Sequence, residues 1–553
     1  MNVHTIDSAI FIKMVQMGAN NLSNHRELIN KLNVFPVPDG DTGTNMNLSM
    51  SSGVKEMLER KAEDLPIILN AFIKGLLMGA RGNSGVILSQ LFRGFSDSLK
   101  NADDLSSKAF AEALYQGVEV AYQSVTNPVE GTILTVAKDA AKCAMELAET
   151  EKDIAKLMEA VVNEAKQSLE RTPELLPILK EVGVVDSGGK GLVIIYEGFL
   201  AALKEEDLPE THAETLDMET MVQLEHEQGV QSFISKDSIE FGYCTEFFVQ
   251  LNEKKSVDSF DEVRFRNQLS EYGDSLLVAA NDNLVKIHIH TEEPGKVMSL
   301  AQSYGELVHI DIENMRQQYE AIVEEKNKNE TEAEMKQFGI IAVASGSGLK
   351  EMFTSLGTTA IIEGGQTMNP STEEILAAVN NINAEHIFVL PNNSNIVMAS
   401  NQAKLLSDKD IAIIPTKTIP EGISALFSFD ESSSKEVNET NMLESMANVK
   451  TGLVTYATRN TEINRIQIKE GAYMGLDDET VLVTASDKLD AAKALLEKLV
   501  DEDDEIVTIF SGEDVTDEEL KSFTEFAEQY LEEAELEIHE GNQPVYSFIM
   551  MIE

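Results

Sequence analysis

The sequence predicts a multidomain protein of mixed α and α+β class: an N-terminal all-helical barrel or bundle, a middle ferredoxin-like β-α-β-β-α-β domain, and a C-terminal two-lobed α/β domain. Three observations carry this expectation. Apolar residues recur at three- and four-residue spacing from Ile6 to about Ala202, which lays them along one face of each helix. From Tyr243 to Ile312 that period gives way to two-residue alternation punctuated by turn residues, the pattern of strands. Beyond about Gln337, short apolar strands alternate with helix-length segments, as in a parallel sheet with helical crossovers. A length of 553 residues exceeds what one core fills, and a 42% hydrophobic content can fill several.

In the first domain, helices are expected over residues 6–30, 65–78, 84–98, 109–124, 132–149, 153–171 and 189–202. The breaks between them repeat one chemical theme. The first reads Asn33-Val34-Phe35-Pro36-Val37-Pro38-Asp39-Gly40-Asp41-Thr42-Gly43-Thr44-Asn45-Met46. It sets two carboxylates two residues apart in a glycine-rich turn, with prolines holding the approach extended. Magnesium takes hard oxygen ligands and is commonly held by one or two carboxylates plus phosphate oxygens, a role that Asp39 and Asp41 fit. Taken alone, the same residues also read as an acidic surface turn before a helix.

Three later breaks place Gly with Ser, Thr or Asp just before a helix: Gly79-Ala80-Arg81-Gly82-Asn83-Ser84-Gly85, Glu130-Gly131-Thr132, and Asp186-Ser187-Gly188-Gly189. One such start is ordinarily a cap. If four of them face a common rim, their N–H groups and dipoles make a collective anion site, and the acidic loop supplies the magnesium that lets ATP sit there. Arg81 is then placed to stabilise transferring charge.

These four loops, in this order on a helical domain, resemble the nucleotide-binding L-type domain of dihydroxyacetone kinases. The spelling NVFPVPDGDTGTNM is similar to that of the ATP-binding subunit of bacterial fatty acid kinase. The resemblance implies ATP and one or two Mg²⁺ ions as cofactors. In dihydroxyacetone kinases three aspartates hold two magnesium ions; the last two fall on Asp39 and Asp41, and the nearest candidate for the first is Asn33, one residue out of step. The resemblance further puts Thr44 and Asn45 near phosphate, Gly82, Asn83, Ser84 and Gly85 at the phosphate loop, and Thr132, Asp186, Gly188 and Gly189 beside the nucleotide.

Residues 203–241 read as a charged linker with some helix. The middle domain, residues 242–320, is expected to run strand 243–251, helix 259–272, strands 275–280 and 284–291, helix 295–303 and strand 307–312. In Val285-Lys286-Ile287-His288-Ile289-His290, strand alternation sends the isoleucines to one face, toward the helices, and both histidines to the open face. The usual strand order of this topology brings Cys244, His288, His290 and His309 near one another. Such a Cys/His/His set can bind Zn²⁺ or supply polar contacts to a substrate. The resemblance favours a functional role: Cys244, His288 and His290 match a Cys and a His-x-His that in the fatty acid kinase family are associated with zinc and activity.

A second linker spans residues 321–336. In the C-terminal domain, residues 337–553, strands are expected at 337–345, 360–363, 386–390 and 410–415, and helices at 348–356, 371–384 and 394–406, with a second lobe from about Lys450. The turns Ser345-Gly346-Ser347-Gly348 and Pro391-Asn392-Asn393-Ser394 follow strands and open helices, where anions often bind, and are read here as plain turns. The layout looks like the two-lobed fold of lipid-carrier proteins, which implies a domain that docks a partner.

Composition narrows the partners. Lys and Arg total 44 against 95 Asp and Glu, a formal charge of −51, which repels nucleic-acid phosphates. No apolar run is long enough to span a membrane, and the start lacks a signal-peptide pattern, so a cytoplasmic protein is expected. Cys143 and Cys244 lie far apart and form no disulfide framework. The expected activity is ATP-dependent phosphorylation of a fatty acid to acyl phosphate, the fatty acid presented by a separate binding protein, with a homodimer left open. The alternatives are a dihydroxyacetone-type small-substrate kinase and a non-catalytic nucleotide-sensing scaffold. A fatty acid carboxylate needs no general base at neutral pH, because carboxyl groups titrate near ~4–5.

Overall fold

The structure is a computed structural model that describes residues 3–33, 40–61, 63–99, 105–125, 127–206, 241–251, 260, 262–281, 284–314, 316, 335–366, 368–457, 461–463, 466–477, 480–531 and 534–553. Asp39 and most of both expected linkers lie outside the described residues. The chain divides into two compact units: residues 1–212 with 335–553, and residues 213–334.

The helical domain of the first unit comprises α1 (Ser8–Asn24), α2 (Arg26–Leu32), α3 (Thr42–Glu59), α4 (Leu65–Met78), α5 (Gly82–Leu99), α6 (Ser107–Ser124), α7 (Ile133–Ala148), α8 (Ile154–Leu175), α9 (Pro177–Val182) and α10 (Ser187–Lys204). The single helix expected over residues 6–30 is instead two, broken at His25. No Gly or Pro marks that break; the His25 ring contacts the Asn21 carbonyl at 2.8 Å, within the last turn of α1. The core interlocks Phe11, Phe72, Phe92, Phe95 and Phe110 edge-on in sequence, with centroids 5.4–6.4 Å apart. Helices α1 and α10 touch backbone to backbone, because a Cβ on Gly198 would lie 2.5 Å from the Cα of Gly18.

The C-terminal domain begins with β5 (Lys336–Ala344), β6 (Ala360–Glu363), β7 (Ala384–Leu390) and β8 (Asp410–Ile413), a parallel sheet in the order β6-β5-β7-β8. Its strands are nearly continuous apolar runs, as burial on both faces requires. Helices α13 (Ser347–Ser355), α14 (Thr372–Asn381) and α15 (Ser394–Leu406) make the crossovers. The second lobe carries a two-stranded ribbon, β10 (Thr461–Ile463) with β11 (Ile466–Ile468), and a six-stranded sheet. That sheet is built from β9 (Lys450–Tyr456), β12 (Tyr473–Asp477), β13 (Thr480–Ala485), β14 (Ile506–Gly512), β15 (Glu535–Gln543) and β16 (Phe548–Ile552). In it β14 pairs parallel with β15 and antiparallel with β16.

The two domains of this unit share an apolar core. Ala80 and Val86 of the helical domain pack with Val343, Ile375, Ile396, Ala399 and Ala403.

The second unit pairs β1 (Tyr243–Leu251), β2 (Gly273–Asn281), β3 (Leu284–Thr291) and β4 (Gly305–Asn314) in the order β2-β3-β1-β4, with α11 (Glu262–Leu269) and α12 (Pro294–Gln302) between strands. Ile287 and Ile289 pack with Phe265 and Leu269 of α11 and with Val297 and Ala301 of α12, the helix-facing side that strand alternation requires. The same alternation puts His290 on the opposite face, where it is buried at 8% exposure rather than open to solvent. Its strand is internal, paired with β1 and β2.

Candidate functional site

Asp41 stands at the N-cap of α3 and is 8% exposed. Gly40 before it takes φ 68°, a left-handed turn that a side chain would strain. Gly43 lets the start of α3 press on α2, since a Cβ there would lie 2.3 Å from the Arg26 carbonyl oxygen. One asparagine fixes this approach: Asn30 Nδ2 donates to Thr44 Oγ1 and the Thr44 N–H donates to Asn30 Oδ1, both at 3.1 Å. Asn30 sits inside the expected first helix, and nothing in its neighbourhood marked it.

The other three glycine-rich starts come to the same place. Ser187 Oγ donates to Thr42 Oγ1 at 3.2 Å, joining the fourth loop to the first. Asp186 caps α10 by accepting from the Gly189 N–H at 2.7 Å, and it also accepts from the backbone N–H of Ile133 at the start of α7. A Cβ on Gly188 would meet Ile133 at 3.2 Å, so the third and fourth loops are in contact. Burial pushes the Asp186 carboxyl up to about 6, against the two N–H donors that favour its charged form.

The second loop lies along α3. The Arg81 N–H donates to Ser49 Oγ at 3.2 Å, and Ser49 in turn donates to the Asn45 carbonyl at 2.7 Å. Gly82 takes φ 56°, and a Cβ on it would stand 2.4 Å from Asn45 Nδ2; one on Gly85 would stand 2.3 Å from Ser49 Oγ. Thr132 is the N-cap residue of α7, with its hydroxyl turned to the Val129 carbonyl at 2.8 Å. The third loop is braced by Glu130, which accepts from Thr135 Oγ1 and Lys138 Nζ, each at 2.7 Å. The starts of α3, α5 and α10 therefore meet around Thr42 and Asn45, next to Asp41, and the start of α7 joins them through Asp186. Helix dipole ends collected this way favour an anion.

What the sequence does not disclose is the C-terminal contribution. The segment between β6 and α14 lies against the second loop: the Thr372 N–H donates to the Ala80 carbonyl at 3.1 Å, and Asn369 Nδ2 donates to Asp41 Oδ2 at 2.5 Å. Arg81, expected to face transferring charge, donates to the Asn369 carbonyl at 3.2 Å and pairs with Glu374 at 3.3 Å. Asn83 Nδ2 donates to Asn395 Oδ1 at 3.0 Å and Gln90 Nε2 to Gln402 Oε1 at 2.6 Å. No local signal ties residue 369 to residue 41; only the packing of two domains does. Asn33 is buried as the C-cap of α2, and Asn369 is an asparagine that meets Asp41 from the C-terminal domain.

The oxygens at this junction fit magnesium. Asp41 offers a buried carboxylate, and Asn369 Oδ1 is a buried acceptor with no hydrogen-bond partner among the described residues; both are hard oxygens. In the second unit, Cys244 faces His290 in the β1/β3 register and His288 lies two residues along. Among the described residues no group of three or more His, Cys, Asp or Glu is placed to hold a metal ion, and the side chains of Cys244 and His288 lie outside those described. The zinc expectation gains no support. In the C-terminal domain, Asn393 caps α15 through the Asn395 N–H at 2.8 Å, and Ser345, Asn392 and Asn393 border a cavity that Lys417, Gln543 and Tyr546 also line. Among the described residues no helix is long and apolar enough to cross a membrane.

Three family models match the chain: the DAK2 domain over residues 36–201, the middle domain of FakA-like fatty acid kinase proteins over 240–322, and the C-terminal domain of the same FakA-like proteins over 339–553. Protein YloV of Bacillus subtilis is 52% identical over 556 residues, covering 100% of both chains. The Staphylococcus saprophyticus protein SSP1546 is 46% identical, again over 100% of both. Among solved structures, the dihydroxyacetone kinase from C. freundii in complex with AMP-PNP and Mg²⁺ is 18% identical with a TM-score of 0.29, covering 36% of this chain and 34% of that one. Matched along its whole length by such relatives and by the family's middle and C-terminal models, the chain belongs to the FakA-like family of fatty acid kinase proteins.

Proposed function

We propose that this protein is a fatty acid kinase: it transfers the γ-phosphoryl group of ATP to the carboxylate of a fatty acid presented by a separate carrier protein, giving acyl phosphate. The observation that carries the reading is the meeting of the α3, α5 and α10 starts around Thr42 and Asn45, next to Asp41, with the α7 start tied in through Asp186. Family membership supports the choice of acceptor.

Phosphoryl transfer asks a protein for positioning and charge neutralisation more than for covalent chemistry. Magnesium, when bound, would neutralise phosphate charge, and Asp41 would be its carboxylate ligand, with Asp39 assigned the same role from the sequence alone. The N–H groups at the starts of α3 and α5 hold phosphate, with Thr44, Asn45, Gly82, Ser84 and Gly85 shaping the approach. Thr132, Asp186, Gly188 and Gly189 close the nucleotide side. Arg81, paired with Glu374 at the edge of this rim, is assigned the transferring charge from the sequence alone. The acceptor carboxylate is already ionised near pH 7, so no catalytic base is required. The C-terminal domain is the docking platform for the carrier.

The test is acyl-phosphate formation from ATP with a fatty-acid-loaded carrier, alongside the same assay with dihydroxyacetone. Asp41→Ala is expected to abolish carrier-dependent turnover. Full turnover in that variant, or consumption of ATP with dihydroxyacetone in place of the carrier, overturns the reading.

A further inference from the structure

We propose that Asn369, delivered by the C-terminal domain, is a positioning residue of the magnesium–nucleotide site, setting the Asp41 carboxylate with its amide nitrogen and offering its side-chain oxygen to the hydrated cation. The inference rests on the magnesium–nucleotide reading of the helical rim and adds to it a residue from another domain.

Chemistry fixes the orientation of the amide. An ionised carboxylate only accepts, so the nitrogen of Asn369 must face Asp41 Oδ2 and the oxygen must face elsewhere. That oxygen is buried in a residue of 2% exposure and has no hydrogen-bond partner among the described residues. A buried acceptor left in this state is costly, and native proteins seldom keep one without a purpose. The neighbouring amide pairs that seal the same domain contact, Asn83 with Asn395 and Gln90 with Gln402, are not left in that state.

The segment carrying Asn369 is also held rigidly. Ser371 and Glu374 form a capping box at the start of α14. Glu374 further pairs with Arg81, the Asn369 carbonyl accepts from Arg81, and Thr372 is tied to the Ala80 carbonyl. Four ties place one amide, as a preorganised site requires. Gly82 leaves the room that Asn45 occupies, since a Cβ there would lie 2.4 Å from Asn45 Nδ2, and Asn369 Nδ2 packs on the same spot at an ordinary 3.6 Å. The phosphate loop, the acidic loop and a C-terminal asparagine thus share one point, and the C-terminal domain sets metal affinity as well as its own contacts.

The experiment titrates Mg²⁺ into the full-length chain with a fluorescent, non-hydrolysable ATP analogue, and follows thermal unfolding with and without Mg²⁺. Asn369→Ala is expected to raise the half-saturating Mg²⁺ concentration about tenfold, the effect of losing one hydrogen bond to a charged group. Asn369→Asp puts a second carboxylate beside Asp41; it is expected to lower the unfolding temperature without metal and to gain more from Mg²⁺ than the parent. Gln402→Leu, which disturbs the same domain contact away from Asp41, is expected to leave half-saturation unchanged. Parent-like titration by both Asn369 variants, with binding lost in Asp41→Ala, overturns the inference while leaving the site reading intact. Parent-like titration by Asp41→Ala overturns both.

Discussion

Asp186 shows how a capping residue becomes a pH-dependent one. Its carboxyl, pushed by burial from an ordinary 3.8 to about 6, makes the folded state bind more protons than the unfolded state between those values. This contribution to stability is fully present below about pH 3.8, falls as pH rises to about 6, and is flat above. Asp186→Asn keeps an acceptor for the Gly189 N–H and removes the charge. It is expected to be more stable than the parent at pH 7–8 by up to roughly 3 kcal/mol, with the difference vanishing near pH 4, in denaturant titrations at stepped pH. Gly82 is the complementary case, where backbone conformation decides. Gly82→Ala forces a left-handed φ on a residue with a Cβ and drives that Cβ into Asn45, so a loss of about 1–3 kcal/mol is expected in the same measurement. Both residues were legible as members of glycine-rich helix starts. Which neighbour each one needs, Ile133 or Asn45, was not legible, because those partners come from other helices.

At the scale of elements, α5 and α15 form the seam between domains. Gln90 and Gln402 meet there as buried side chains, with Gln90 Nε2 donating to Gln402 Oε1 at 2.6 Å. Gln402→Leu leaves a buried donor unmatched and is expected to cost about 1–3 kcal/mol, most of it recovered in Gln90→Leu/Gln402→Leu. A double-mutant cycle in urea reads this directly; additive losses would remove the pair from the seam's energetics. Element positions themselves were well foreseen. The helix at 65–78 and the strands at 243–251 and 284–291 fall where periodicity places them, bounded by Pro66, Gly79 or turn residues. The break between α1 and α2 carries no local signal, because a histidine, not a glycine or proline, ends the helix.

For the whole molecule, the shared core of Ala80 and Val86 with Ile375, Ile396 and Ala403 couples the helical and C-terminal domains into one compact unit, and the middle domain forms the other. Scanning calorimetry is expected to resolve two transitions. Mg²⁺ with an ATP analogue should raise only that of the larger unit, by about 2.7 kcal/mol at a hundredfold excess over Kd. A single transition, or a shift in both, would contradict the division.

The sequence by itself determined the kinds of element and the chemistry of the four loops. Those depend on local periodicity, on capping residues and on glycine's freedom, all of which act within a few positions. It also marked Asp39 and Asp41 as the carboxylates of interest. Only the tertiary structure decided which residues meet there. Asn369 lies 328 positions from Asp41, and its place beside that carboxylate follows from the packing of α14 and α15 on the second loop, a contact with no local code. Sequence proximity singles out Asn33 as a further ligand beside Asp39 and Asp41, and long-range packing adds an asparagine from another domain.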